Sequence, residues 1–192
     1  MKGVILATFV TLTSATAAER FVEGIEHSPV RVLIYEDLQC PDCADFRRML
    51  DERLLPKYAT RVTFEHRDFP LAKHAWARKA AIAARFFDEA DPRVGVAFRR
   101  YCFEHQPEMN AANFPAKLAA FAKEHTVDPD KASAALDDPR LGDLVEKDFQ
   151  DGVARGIAHT PTALVNGQPF IEHFTYEEVA KAIDAELAAA RQ

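Results

Sequence analysis

Cys40-Pro41-Asp42-Cys43 stands where an apolar run gives way to a helical period, and this junction limits the possible folds more than any other part of the chain. Upstream, Val32, Leu33, Ile34 and Tyr35 form a short run bounded by Ser28-Pro29 and by Cys40-Pro41. Its length and β-branched content predict a buried central strand over 31–38. Downstream, Phe46, Leu50 and Leu54 recur at helical spacing from Cys40 to Leu55, with Pro41 just inside the start and Pro56 as the stop. Val62 to Phe64 resumes a strand that closes on Phe69-Pro70. Strand, helix and strand at this spacing make a βαβ unit, which sets Val32 and Val62 on parallel neighbours.

From Pro70 to about residue 156 the periodicity is almost entirely helical. Trp76, Ala80, Ala83 and Phe87 share one stripe, Val94, Phe98, Tyr101 and Cys102 a second, and Phe114, Leu118 and Phe121 a third. Asp128-Pro129 opens a short periodic segment that runs to Leu136. Asp138-Pro139 pairs a cap with proline at the first helical position, and Leu141, Val145, Phe149 and Val153 carry the last stripe to Gly156. Thr162–Val165 and Phe170–Glu172 flank Asn166-Gly167, the strongest short hairpin signal. Thr175 and Glu178 form a capping box for a final helix whose apolar face is Val179, Ile183 and Leu187. No Gly/Ser linker separates the helical block. It therefore reads as an insertion of about 74–140 docked on one α/β domain spanning 19–192, not as a tethered unit.

Residues 1–18 combine Lys2, the apolar stretch Val4–Val10 and the small residues Ala15, Ala17 and Ala18. They read as a signal peptide, with an N-terminal strand as the alternative. Export would place the cysteines in an oxidising compartment. With 24 basic against 30 acidic side chains, the formal charge of −6 disfavours non-specific nucleic-acid binding. The absence of any run of 18 apolar residues disfavours a membrane span. Three cysteines in 192 residues are too few for a disulfide scaffold.

Cys40 and Cys43, at i and i+3 on a first helical turn, bring their sulfurs to one side at disulfide spacing. Cys40 falls at the cap, where unpaired N–H groups and the positive end of the helix dipole favour a thiolate. Such placement moves a cysteine pKa from ~8.5 into the range of about 3.5–7.5 and weakens the disulfide, making it an oxidant. Cys43, one turn deeper, is shielded and suits a resolving role. A metal half-site is disfavoured because zinc wants four ligands and no H-x₃₋₅-H pair is present. A static disulfide over so short a loop would add little stability. Cys102 belongs to an apolar helical face and reads as an inert buried thiol.

Tyr35-Glu36-Asp37-Leu38-Gln39-Cys40-Pro41-Asp42-Cys43 resembles the active-site strand and helix start of DsbA-like thioredoxin-fold oxidoreductases. Arg67-Asp68-Phe69-Pro70-Leu71 with His74 and Ala80-Ala81, Phe103-Glu104-His105-Gln106, and Gly156-Ile157-Ala158-His159-Thr160-Pro161-Thr162 resemble further segments of that family, in family order. The resemblance implies a thioredoxin-like fold (β-α-β then β-β-α) with an inserted helical subdomain. It implies that Cys40 attacks, Cys43 resolves, Pro161 is a cis-proline and Thr160 offers its backbone to a bound substrate strand. Thiol–disulfide exchange with protein thiols through a mixed disulfide follows, most simply as a disulfide-forming oxidant in the periplasm, recycled by a membrane redox partner. Neither cofactor nor metal is implied. The alternatives are a reductase or isomerase, a glutathione-transferase-like enzyme, or a metal- or partner-binding module on the same fold.

Pro41, Asp42 and His159 are the expected tuning residues. Asp42 stands where strongly oxidising relatives commonly carry histidine, and its charge disfavours the Cys40 thiolate. An imidazolium at His159 would favour it, while His74 reads as structural. Ile34 occupies the place, six residues before Cys40, where thioredoxin relatives often bury a carboxylate. Glu36 and Asp37, nearer the cysteines, read as facing solvent, so no proton acceptor for Cys43 is assigned.

Overall fold

The computed structural model describes residues 21–191; the signal-peptide reading of residues 1–18 lies outside the described residues. Five strands, β1 (Phe21–Gly24), β2 (Arg31–Glu36), β3 (Thr63–Asp68), β4 (Thr162–Val165) and β5 (Gln168–Ile171), form one sheet in the order β1-β3-β2-β4-β5. β2 and β3 are parallel, with Val32 opposite Phe64 and Glu36 opposite Asp68, and the other pairs are antiparallel. Val62 lies just before β3 rather than within it. Asn166 and Gly167 turn the β4–β5 hairpin with positive φ at both positions, as its tight turn requires. β1 carries little apolar periodicity of its own and pairs with β3 at the sheet edge.

The β2–β3 crossover is α1 (Pro41–Met49), a π-helical turn (Leu50–Leu54) and α2 (Leu55–Tyr58). The expected stop at Pro56 is therefore corrected: the helix continues to Tyr58. In the π turn the Leu55 N–H reaches back five residues to Leu50 O, and Pro56 follows as an early residue of α2, where its missing donor is tolerated. Phe46, Leu50 and Leu54 pack with Val32, Ile34, Phe64, Ala163 and Val165 of the sheet. Val179 and Ile183 from α8 (Tyr176–Ala189) complete this core. Each such large side chain taken wholly from water contributes about 1.5–3 kcal/mol. The Thr175–Glu178 capping box opens α8.

α3 (Ala77–Ala90), α4 (Pro92–Glu104), α5 (Phe114–Glu124) and α6 (Pro129–Ala134) build a second core. Phe87 lies at its centre, with ring centroids 4.8 Å from Phe98 and 5.2 Å from Phe121. Leu38, Cys40 and Cys43 are buried in this same cluster, so the cysteine pair sits at the seam between sheet and helices. α7 (Pro139–Ala154) covers the other sheet face, where Phe149 stacks on Phe69 at 4.6 Å and the Tyr35 hydroxyl donates to Asp151 Oδ2 at 2.5 Å. The expected stripe loses its last member, since Val153 is 48% exposed. Gly152 takes the inward position instead. A Cβ there would stand 2.7 Å from the Phe69 ring and 3.0 Å from Tyr35 Cε1, so α7 approaches the sheet closely only because residue 152 has none.

Candidate active site

Cys40 is the N-cap of α1. Pro41 has no N–H, so the first free donors of the helix are those of Asp42 and Cys43, and both support a sulfur anion at Cys40. The Cys40 thiol is lowered from 9.0 to about 6: hydrogen bonding from the Cys43 side chain is the largest cause, burial opposes it, and the Thr160 side chain and the two backbone N–H groups assist. Sγ of Cys40, as a thiol, donates to Thr160 O at 3.3 Å. Cys43 behaves oppositely. Burial, then the neighbouring Cys40 sulfur, push its thiol well above the usual range, although the Asp37 N–H donates to Cys43 Sγ at 3.4 Å. Both cysteines are free thiols. The site thus favours the thiolate at Cys40 and the thiol at Cys43, which is 1% exposed beneath it.

The Thr160–Pro161 peptide bond is cis. Thr160 is buried and its hydroxyl makes no other hydrogen bond. A cleft of about 340 Å³ lies against Cys40, lined by Asp42, Leu71–Lys73, Ala158–Thr160 and Glu172. His159 stands on its rim with Nδ1 3.2 Å from Glu172 Oε1, and the strongest influences on Cys40 come from the groups above. Asp42 is half-buried beside the cleft. Cys102 is wholly buried, and burial pushes its thiol far up.

Glu36 and Asp37 do not face solvent: they are 4% and 1% exposed. The sheet and helices close over the end of β2, which strand alternation alone could not show. His66 lies between Glu36 Oε1 (3.2 Å from Nδ1) and Glu23 Oε2 (3.1 Å from Nε2), and Arg99 Nη1 is 3.4 Å from Glu36. Burial alone would raise the Glu36 carboxyl, but His66 and Arg99 hold it low. That charge in turn disfavours an anion at Cys43. The pairing continues away from the site through Asp68, whose carboxylate is 2.9 Å from Arg99 and 2.6 Å from Arg85, to Asp148. Charged residues embedded in apolar helical stripes, Arg85 among alanines and Arg99 beside Phe98, are the signal that could have exposed this network.

Two further residues order the loop carrying the cysteines. Gln106 Nε2 donates to Leu38 O and Cys40 O, each at 3.0 Å, tying the helical block to the site. His74 Nδ1 stands 2.7 Å from Asp37 Oδ2. Among the described residues no cluster of three or more His, Cys, Asp or Glu is arranged to hold a metal, and no helix is long and apolar enough to cross a membrane.

The family model described as Thioredoxin matches residues 16–185. Disulfide bond formation protein D of Bacillus subtilis is 27% identical over 169 residues, 86% of this chain and 76% of that protein. Na(+)/H(+) antiporter NhaA 3 of Salinispora tropica is 28% identical over 173 residues, 88% of this chain, which spans only 25% of the antiporter's length. The crystal structure of oxidised BdbD from Bacillus subtilis superposes with a TM-score of 0.75 at 26% identity, covering 90% of this chain and 95% of that one. With the five-stranded sheet, the helical block between β3 and β4 and the cysteine pair at the head of α1, the match to the Thioredoxin model shows that the chain belongs to the thioredoxin family.

Proposed function

We propose that this protein forms disulfides in other proteins, with Cys40 as the exchanging and Cys43 as the resolving sulfur. The observation that carries the reading is the opposed behaviour of the two thiols: Cys40 is lowered to about 6 while Cys43 is pushed up. In the oxidised protein a client thiolate attacks Cys40 Sγ, the Cys40–Cys43 bond breaks, and Cys43 leaves and takes up a proton. A second client thiolate then attacks the client sulfur of the mixed disulfide and expels Cys40 as a stable thiolate. The client loses two electrons and the Cys40–Cys43 pair gains them. A low-pKa leaving group speeds the second step and stabilises the reduced enzyme, which makes the pair oxidising.

Thr160 and Pro161 offer the backbone edge against which an extended client segment would lie. Pro41, Asp42 and His159 tune the Cys40 sulfur. Exported location and recycling by a membrane redox partner complete the proposal; the likeness to disulfide bond formation protein D supports the direction of exchange. A reductase or isomerase is the second reading, favoured by the acidic Asp42 beside Cys40. The reduction potential separates them. An oxidant equilibrates with glutathione well above the ~−270 mV of thioredoxin, near or above about −180 mV, and a value at or below about −250 mV rejects that direction. Cys43→Ser should accumulate a mixed disulfide through Cys40, and undiminished exchange in Cys40→Ser would refute the whole reading.

A further inference from the structure

The geometry points to Asp37 and His74 as a positioning pair that fixes the client-binding wall of the Cys40 cleft. This rests on the exchange reading above and extends it to two side chains that contact neither reacting sulfur. Asp37 is 1% exposed, and its carboxylate is gathered by three N–H groups from two segments. Oδ1 accepts from the Gln39 N–H at 2.7 Å, while Oδ2 accepts from the Leu71 N–H and from His74 Nδ1, each at 2.7 Å. The same residue's backbone reaches both cysteines: its N–H donates to Cys43 Sγ at 3.4 Å and its carbonyl accepts from the Cys40 N–H at 3.0 Å.

Leu71 and His74 are the two ends of one turn, closed by the His74 N–H on Leu71 O at 2.9 Å. The residues between those anchors, with Leu71 itself, form the side of the cleft that faces Cys40, His159 and Thr160. A turn with exposed Ala72 and Lys73 holds one position only if its ends are tied to something rigid. Here the tie is a buried carboxylate, and a charged acceptor makes each such hydrogen bond stronger than its neutral counterpart. Removing the His74 donor frees one end of the wall and leaves the sulfurs in place. A client with a peptide backbone should feel the loss more than a small dithiol does.

The test compares oxidation of a synthetic dithiol peptide of about ten residues with oxidation of dithiothreitol by His74→Leu and His74→Asn, with glutathione disulfide supplied to reoxidise the Cys40–Cys43 pair and the uncatalysed rate subtracted. Leucine keeps bulk but has no donor; the asparagine Nδ2 can place an N–H where Nδ1 stands. For His74→Leu, peptide kcat/KM should fall about tenfold more than dithiothreitol kcat/KM, chiefly through KM, and His74→Asn should recover most of the difference. Equal losses for the two dithiols, or no recovery with asparagine, would overturn the pair's role. If His74→Leu does not fold, Asp37→Asn carries the same comparison, because an amide has one acceptor where three donors converge. Failure of the parent to oxidise either dithiol would instead reject the exchange reading.

Discussion

Cys43→Ala removes the group that contributes most to the acidity of Cys40. With the Cys40 thiol at about 6, roughly nine-tenths of it is ionised at pH 7, against about one hundredth at 9.0. Three units correspond to an upper bound of about 4 kcal/mol in favour of the thiolate. The sulfur borders an open cleft, and solvent screening there reduces the stabilisation to about 2 kcal/mol. A hydrogen bond to a charged group contributes roughly 1.5–3 kcal/mol, so losing the Cys43 S–H should raise the Cys40 midpoint by about one to two units. Ultraviolet absorbance of the thiolate, followed from pH about 4 to about 10, reads that midpoint directly. Serine retains a donor and should shift it less than alanine does. A Cys43→Ala midpoint at or below that of the parent, or a larger shift with serine, would refute the assignment. The pH dependence has a definite sign. Because the folded pKa of Cys40 is depressed, the stability it adds to the reduced protein is full above pH about 9 and is lost as pH falls through about 6. The gap in melting temperature between reduced and oxidised protein should move in the reduced form's disfavour over that window.

Three other outcomes follow from the packing and the charges. Asp42→His exchanges an anion for a potential cation beside Cys40, and should lower the Cys40 midpoint and raise the reduction potential in a thiolate titration paired with a glutathione equilibrium; the opposite sign of either shift contradicts it. Gly152→Ala drives a methyl onto the Phe69 ring, so about 1–3 kcal/mol of overpacking should outweigh the helical gain of about 1 kcal/mol and lower the melting temperature by a few degrees. Asp88 is raised to about 6, chiefly by burial and against the pull of Arg99, so its contribution to stability is full below pH about 4 and lost as pH rises through 6. Asp88→Asn should therefore gain on the parent between pH about 4 and about 8 in thermal melts, and a pH-independent difference between the two would reject this role.

Much of the site could be read from the chain because its chemistry is local. An i, i+3 cysteine pair at the head of a helix needs only the strand before it and Pro41 after Cys40 to declare its position. The Asn166-Gly167 hairpin and the Thr175–Glu178 cap are likewise complete within a few residues. Pro56 misled because a π turn is a helix-wide adjustment, visible only once the Leu55 N–H is seen on Leu50 O. Val153 misled because Gly152 sets how α7 meets Phe69, and a glycine carries no periodic signal.

By itself, then, the amino-acid sequence determined the βαβ unit, the helical block that follows it, the closing hairpin, and the placing of Cys40 and Cys43 on the first turn of a helix. Short-range propensity, capping and periodicity decide such features. Only the tertiary structure decided that Glu36 and Asp37 lie inside, that His66 and Arg99 hold the first, and that Gln39, Leu71 and His74 gather on the second. It alone set Thr160 O against Cys40 Sγ across 120 residues of chain. The physical reason is that a carboxylate's burial depends on which distant donors converge to offset its desolvation. That convergence is a property of packed surfaces, and no single segment carries it.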